Sequence, residues 1–236
     1  MKKIKKKIKK ALIKLTYPVS HLKRRVYCPN KWYGNDYAGF YVNPNIINDK
    51  SIVYSFGIGE DISFDKAMIN NHNCQVFGFD PTPKSINWVK NQNIPSNFNF
   101  NDFGIGVTTE DTVFYLPLNE EHVSGSVEKH INVTERRKVK VHMKSFEDIT
   151  TVLGHQKVDV LKMDIEGSEY DTIAGILASN VIIDQILIEF HDRFFDTKTA
   201  KSIKSVNQLK EGGYEIFAVS DSYEEVSFIR KELIAD

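Results

Sequence analysis

Val158-Asp159-Val160-Leu161-Lys162-Met163 is an apolar run broken only by Asp159 and Lys162, and it opens directly into Asp164-Ile165-Glu166-Gly167-Ser168-Glu169. A short run of this kind suits a strand covered on both faces, as in the middle of a parallel sheet. Residues Ser168–Ser179 then read as a helix with Ile173, Ile176 and Leu177 on one side, and Ile182–Phe190 reads as a second central strand. Strand, helix, strand is the unit of a parallel α/β sheet, whose crossovers are right-handed.

The same alternation extends outward. Upstream, Ser51–Phe56 is a β-rich run ending in Gly57-Ile58-Gly59. A helix is expected over residues 60–71 and a strand over Gln75–Phe79. Thr82 can cap the next helix, with Pro83 in its first turn and Ile86 and Val89 inward. Asn97–Asn101 is a weaker third strand. Thr112–Leu116 and Val139–Met143 alternate apolar and polar residues, as half-buried strands do, and the polar stretch 117–138 between them reads as a loop. Downstream, Thr197–Glu211 reads as a helix that Thr197 begins and Gly212-Gly213 ends. Tyr214–Val219 and Val226–Arg230 form an antiparallel C-terminal hairpin around a turn at Asp221–Glu224. The expectation is a doubly wound α/β domain over residues 36–236, preceded by an arm over residues 1–35.

That arm is distinctive in charge. The chain has 236 residues, 31 basic and 31 acidic, yet eleven of the basic ones and no acidic one lie in residues 1–25. The remainder therefore sets 20 basic against 31 acidic side chains. Ile4, Ile8, Leu12 and Leu15 recur at helical spacing, so an amphipathic helix on an anionic membrane surface is one reading and a solvated tail the other. An acidic body and an arm without interleaved aromatics argue against nucleic acid. No apolar run reaches the roughly 18 residues of a membrane-spanning helix. Two cysteines, Cys28 and Cys74, are too few for a disulfide scaffold and lack metal-ligand spacing. The expected location is cytoplasmic, and peripheral at the inner face of a membrane under the first reading of the arm.

In sheets of this type ligands bind beyond the carboxyl ends of the strands. The first end offers Gly57-Ile58-Gly59, where the backbone can approach a ligand closely; glycine turns after strands are also ordinary. The second ends at Asp80, at the spacing of a ribose-gripping carboxylate, beside Pro81. The third offers Asp102 and Phe103, an acid and an aromatic suited to an adenine. The fourth presents Asp164, Glu166 and Glu169; helix position accounts for the last, but the first two carry a charge cost unless they are solvated or used. The fifth presents Glu189-Phe190-His191-Asp192, in which His191 is the general-base candidate.

Residues Val158 to Glu169 resemble the K-x-D-x-E-G-x-E signature of FkbM-type methyltransferases. Leu187–His191 is similar to that family's E-x-H strand, Val141–Ile149 to its lead-in strand and helix start, and Tyr223–Arg230 to its closing strand. Ser55–Asp65 and Phe79–Pro83 look like a methyltransferase-like branch of the same group. The resemblance implies a Rossmann-like seven-stranded sheet with helices on both faces, and S-adenosylmethionine as cofactor. It implies Gly57, Ile58 and Gly59 beside the methionine part, Asp80 and Pro81 at the ribose, and Asp102 with Phe103 at the adenine. Asp164, Glu166 and His191 would face the methyl group and its acceptor. One departure is the absence of an acid just before Gly57; Glu60 or Asp61 would take over the methionine amino group.

The implied reaction is methyl transfer to a hydroxyl of a sugar, glycolipid or small metabolite, with His191 removing the proton. A divalent metal on Asp164, Glu166 and His191 is an open alternative and is not assigned. Two rivals stand: a non-catalytic module of the same fold, and a nicotinamide-dependent oxidoreductase. The second is disfavoured because the third glycine of its fingerprint is replaced by Ile62.

Overall fold

The computed structural model describes residues 19–117, 133–195 and 200–234. The basic arm up to residue 18 lies outside them, as does Thr197. Among the described residues no helix is long and apolar enough to cross a membrane.

The order of elements is β1 (Lys31–Tyr33), β2 (Phe40–Val42), β3 (Ile52–Phe56), α1 (Ser63–His72), β4 (Gln75–Phe79), α2 (Pro83–Lys90), β5 (Phe98–Asn101), β6 (Gly104–Ile105), β7 (Glu110–Pro117), β8 (Val133–Lys144), α3 (Phe146–Leu153), β9 (Lys157–Met163), α4 (Glu169–Ala178), β10 (Ile182–Glu189), α5 (Ser202–Glu211), β11 (Tyr214–Val219) and β12 (Glu225–Arg230). Seven strands form the central sheet in the order β11-β12-β10-β9-β3-β4-β5. β12 runs antiparallel to both its neighbours, and the pairs from β10 to β5 are parallel. The expected seven-stranded, mostly parallel sheet with an antiparallel C-terminal hairpin is therefore present.

Helices cover both faces. Phe64, Met68 and Ile69 of α1 and Val89 of α2 pack with Val53, Val76 and Val160 on one side. Phe146 and Ile149 of α3, Ile173 and Ile176 of α4, and Val206 and Leu209 of α5 pack with Tyr54, Leu161 and Ile186 on the other. Alternate strand residues serve opposite cores, which is why these strands read as unbroken apolar runs. Local signals fix the helix starts: the Thr82 hydroxyl accepts from the Ser85 amide, and the Ser145 hydroxyl from the Asp148 amide.

Three parts differ from the sequence reading. β1 and β2 form a separate hairpin whose three-residue strands are too short to show a period. Residues 19–35, expected as the end of the arm, join the body: Leu22 is buried in the main core, Tyr33 is buried, and the Arg25 and Val26 amides donate to the Ile216 carbonyl. The expected loop over 117–138 is partly strand, since β8 begins at Val133, antiparallel to β7 and parallel to β6. This small sheet has its own core of Phe114, Val141 and Met143. The part of the loop over 118–132, with His122 and His130, lies outside the described residues.

Candidate active site

The central sheet changes direction between β3 and β9: the chain winds from β3 through β4 to β5, then returns to β9 and continues to β10. Ligands of doubly wound sheets bind at such a switch point. Here the ends of β3 and β9 are joined, for the Asp164 amide donates to the Phe56 carbonyl at 3.1 Å. Gly57 has φ +80°, and a Cβ there would lie 1.7 Å from the Asp164 carbonyl oxygen. Glycine is needed at this position to let two strand ends pass, before any ligand is considered.

Asp80 braces the turn from the other side. One of its oxygens accepts from the amides of Ile58 (3.1 Å) and Gly59 (2.8 Å). The other accepts from the amide (2.9 Å) and the hydroxyl (2.7 Å) of Thr82. A carboxylate has about four acceptor positions, so Asp80 is fully occupied within the protein. Lys162 completes the frame from below: its buried ammonium donates to the carbonyls of Gly57 at 2.6 Å and Phe56 at 3.4 Å.

A cleft lies above this frame. Its walls include the whole Phe56–Asp61 turn, Phe79 to Thr82, Gly104 and Ile105, Phe114 and Met143 of the small sheet, and Asp164 to Glu166 with Ser168. Gly57, Ile58, Gly59, Asp61, Asp80, Pro81, Asp164 and Glu166 are thus brought together in one cleft. Asp102 and Phe103 are not in its wall. The Asp102 residue is exposed, and the Phe103 ring packs 5.6 Å from Phe79 at the edge of the core. The next two residues, Gly104 and Ile105, take their place because β6 turns back toward the small sheet.

His191 lies behind the acidic end of the cleft and is wholly buried. Its Nδ1 is 3.1 Å from an oxygen of Glu169, also wholly buried, and its backbone amide donates to the same oxygen at 2.9 Å. The other Glu169 oxygen accepts from the Gly167 amide at 2.9 Å. Glu169 is therefore not merely a favourable charge at a helix start, as its position suggests, but the holder of the imidazole. Nε2 faces carboxylate oxygens of Glu166 at 3.4 Å, Glu189 at 3.5 Å and Asp164 at 3.6 Å. Glu166 reaches this place from a left-handed backbone, φ +53°, a costly conformation for a residue with a side chain.

These neighbours set the proton inventory. Burial alone would lower His191, but Glu169, Glu166 and Glu189 outweigh it and push it up to about 10. Burial, and then the Asp164 charge, push Glu189 up to about 8. In this arrangement the imidazole carries its proton at neutral pH. That proton stays in place while the carboxylates are its only counter-ions; a cation at Nε2 would displace it.

Several residues of the site escaped sequence reading. Lys162 lay within the quoted run without a role, Phe114 and Met143 looked like ordinary strand residues, and Ala38 arrives from the unforeseen β1–β2 hairpin. Asn35 ties that hairpin to the turn by donating to the Asp61 carboxylate at 2.6 Å.

The sheet order, the switch-point turn and the acid–imidazole cluster define a domain of the Rossmann-like methyltransferase class. Residues 35–216 match the methyltransferase FkbM domain, and the chain belongs to that family. It is 25% identical over 203 residues to the probable methyltransferase-like protein 24 of Homo sapiens, covering 80% of this chain and 48% of that one. The probable methyltransferase-like protein 24 of Rattus norvegicus is 24% identical over 192 residues, covering 77% and 46%. The chain thus spans about half the length of these curated relatives. Among solved structures, the fibrillarin pre-rRNA processing protein of Methanococcus jannaschii is similar at a TM-score of 0.46 and 14% identity, covering 86% of this chain and 83% of that one.

Proposed function

We propose that this chain is an S-adenosylmethionine-dependent methyltransferase that methylates a hydroxyl of a sugar, glycolipid or small metabolite. The observation that carries the reading is the cleft at the switch point. It is lined by the glycine turn with Asp61, an apolar shelf of Phe79, Ile105 and Met143, and the acids Asp164 and Glu166, of which Asp164 abuts Gly57.

The residues present fit such a cofactor. Ser168 lines the cleft with a buried hydroxyl that has no hydrogen-bond partner among the described residues, a group left for a polar ligand. The apolar shelf suits a flat base, and the acids suit a cation. Bound there, the cofactor supplies a methyl group on a positively charged sulfur. The chain's own work is to align the acceptor oxygen and take its proton. With the cofactor bound, Asp164 or Glu166 would take the hydroxyl proton of an acceptor in the cleft. His191, held by Glu169, fixes those two carboxylates from behind. Asp80 serves the cofactor by shaping the turn. A basic arm on an anionic membrane would favour a glycolipid acceptor.

Calorimetric titration of the full chain with S-adenosylmethionine, beside NADH and an Asp80→Ala variant, tests the reading. Micromolar binding of S-adenosylmethionine alone, lost in the variant, is expected. No binding would leave a non-catalytic module, and binding of NADH instead would point to an oxidoreductase.

A further inference from the structure

We propose that Asp164 Oδ1, Glu166 Oε2 and His191 Nε2 form a site for one divalent transition cation such as manganese. One donor atom from each residue lies within 4.8 Å of the others. Nε2 stands 3.6 Å from Asp164 Oδ1 and 3.4 Å from Glu166 Oε2. Two donors that far apart and each about 2.1–2.2 Å from a shared cation would subtend an angle of roughly 100–115°. Those angles lie between the octahedral and wider tetrahedral separations, so Nε2 is placed to share an ion with each carboxylate after side-chain adjustment.

A group of acids alone would not make a site, and His191 supplies the second observation. Its Nε2 is fully buried, has no hydrogen-bond partner among the described residues, and is directed into the carboxylates. Contacts of 3.4–3.6 Å to three oxygens are too long for hydrogen bonds. Meanwhile Nδ1 is committed to Glu169 at 3.1 Å, and the backbone amide to the same oxygen. A carboxylate that holds one ring nitrogen, so that the other points at a metal, is the usual support of a histidine ligand. Charge agrees. Asp164, Glu166, Glu169 and Glu189 crowd this one imidazole, and Arg193, at 3.2 Å from Glu189, is shared with Glu224. A dication offsets that excess.

The donor set chooses the metal. Two carboxylate oxygens and one imidazole nitrogen, with no thiolate, suit a first-row transition dication such as manganese, which accepts imidazole beside oxygen and completes its shell with water or substrate oxygens. Asp164 and Glu166 also line the cleft, so the remaining positions open toward the acceptor. Cation binding itself needs no cofactor. Only its use, holding an acceptor hydroxyl, rests on the proposed function.

The test is an electron paramagnetic resonance titration of the chelator-dialysed full chain with Mn²⁺ alone. One bound ion per chain is expected, with affinity at least tenfold weaker in Glu166→Gln and Asp164→Asn and unchanged in Glu211→Gln, a surface control. Electron spin-echo modulation of the bound ion in the unsubstituted chain should show one histidine nitrogen, a readout independent of how the variants fold. Absence of bound Mn²⁺ at millimolar concentration, or a bound ion without histidine nitrogen, would overturn the site. A chain that binds Mn²⁺ but not S-adenosylmethionine would overturn the proposed function and leave the site standing.

Discussion

Lys162 Nζ donates to the Gly57 carbonyl at 2.6 Å, so the cation of the fourth strand end holds the glycine turn of the first. The same group reaches the Phe56 carbonyl at 3.4 Å. Beneath it lies the wholly buried Asp65, whose carboxyl is raised by burial and drawn down by the Lys162 charge. Lys162→Met removes the donor and leaves a buried carboxyl without its cation. Losing a buried donor and leaving its acceptors unsatisfied costs about 1–3 kcal/mol. Urea unfolding should show a loss of that order, and calorimetry at least a tenfold loss of S-adenosylmethionine affinity. Wild-type affinity in a folded variant would show that the turn holds its shape without Lys162.

Gly57→Ala separates steric cost from backbone cost. The added carbon would meet the Asp164 carbonyl oxygen at 1.7 Å and its carbon at 2.7 Å, and neither can move without breaking the junction of β3 and β9. Gly154, at the end of α3, also has positive φ, but an added carbon there meets nothing within 4 Å. Gly154→Ala should therefore cost only the left-handed penalty, about 1 kcal/mol. Gly57→Ala should cost several times more, on the order of 3–4 kcal/mol. Equal urea midpoints for the two variants would mean that the switch-point junction is looser than its geometry.

Two histidine–tyrosine pairs each contribute a loss of stability on acidification. Tyr54 Oη lies 2.7 Å from His155 Nδ1, and Tyr33 Oη lies 2.7 Å from His72 Nε2. Burial lowers both histidines, and the Lys31 charge lowers His72 further. Below the ordinary histidine value of about 6.5 the unfolded chain binds protons that the folded chain resists, so stability falls with falling pH. This contribution is complete above that value and is lost below it. Glu189, raised to about 8, holds its proton in the folded chain and acts in the opposite direction over this range, so the histidine share is read as a difference: from pH 7 to pH 5 the urea midpoint of His155→Gln should fall less, or rise more, than that of the unsubstituted chain. An identical slope in the variant would assign the acid sensitivity to other groups.

The architecture was legible because buried parallel strands write themselves as apolar runs, as at Val158–Met163, and because glycine, proline and acids punctuate their ends. Strand ends also located the site, since Gly57, Asp80 and Asp164 each close a strand that the pattern reveals. What stayed hidden depends on pairs distant in sequence. Lys162 and Gly57 are 105 positions apart, and Tyr54 and His155 are 101. Periodicity reports which face a residue takes, not which partner it meets there. Asp102 and Phe103 fall outside the cleft wall, which Gly104 and Ile105 enter instead, and no period in the sequence announces that turn. For His191 the sequence shows an imidazole at a strand end but not which four carboxylates surround it.

Glu169 is where local and distant roles can be told apart. It sits in the first turn of α4, where any acid is favourable by roughly 0.3–1 kcal/mol through the helix dipole. It is also wholly buried and accepts from the Gly167 amide, the His191 amide and His191 Nδ1. Burial raises its carboxyl, and the His191 charge and hydrogen bonds reverse that to a net lowering. Glu169→Gln keeps the shape and places an amide donor against a group of donors. If only the dipole mattered, the variant would lose less than about 1 kcal/mol. Because one partner of a buried charge pair is removed, the expected loss is about 3–5 kcal/mol, read by urea unfolding. Nitrogen NMR of His191 adds a readout that packing loss would not move: the Nδ1 proton, fixed by the carboxylate, should lose its strongly hydrogen-bonded signal. A small stability loss with an unchanged ring signal would return Glu169 to the status of an ordinary helix-start acid.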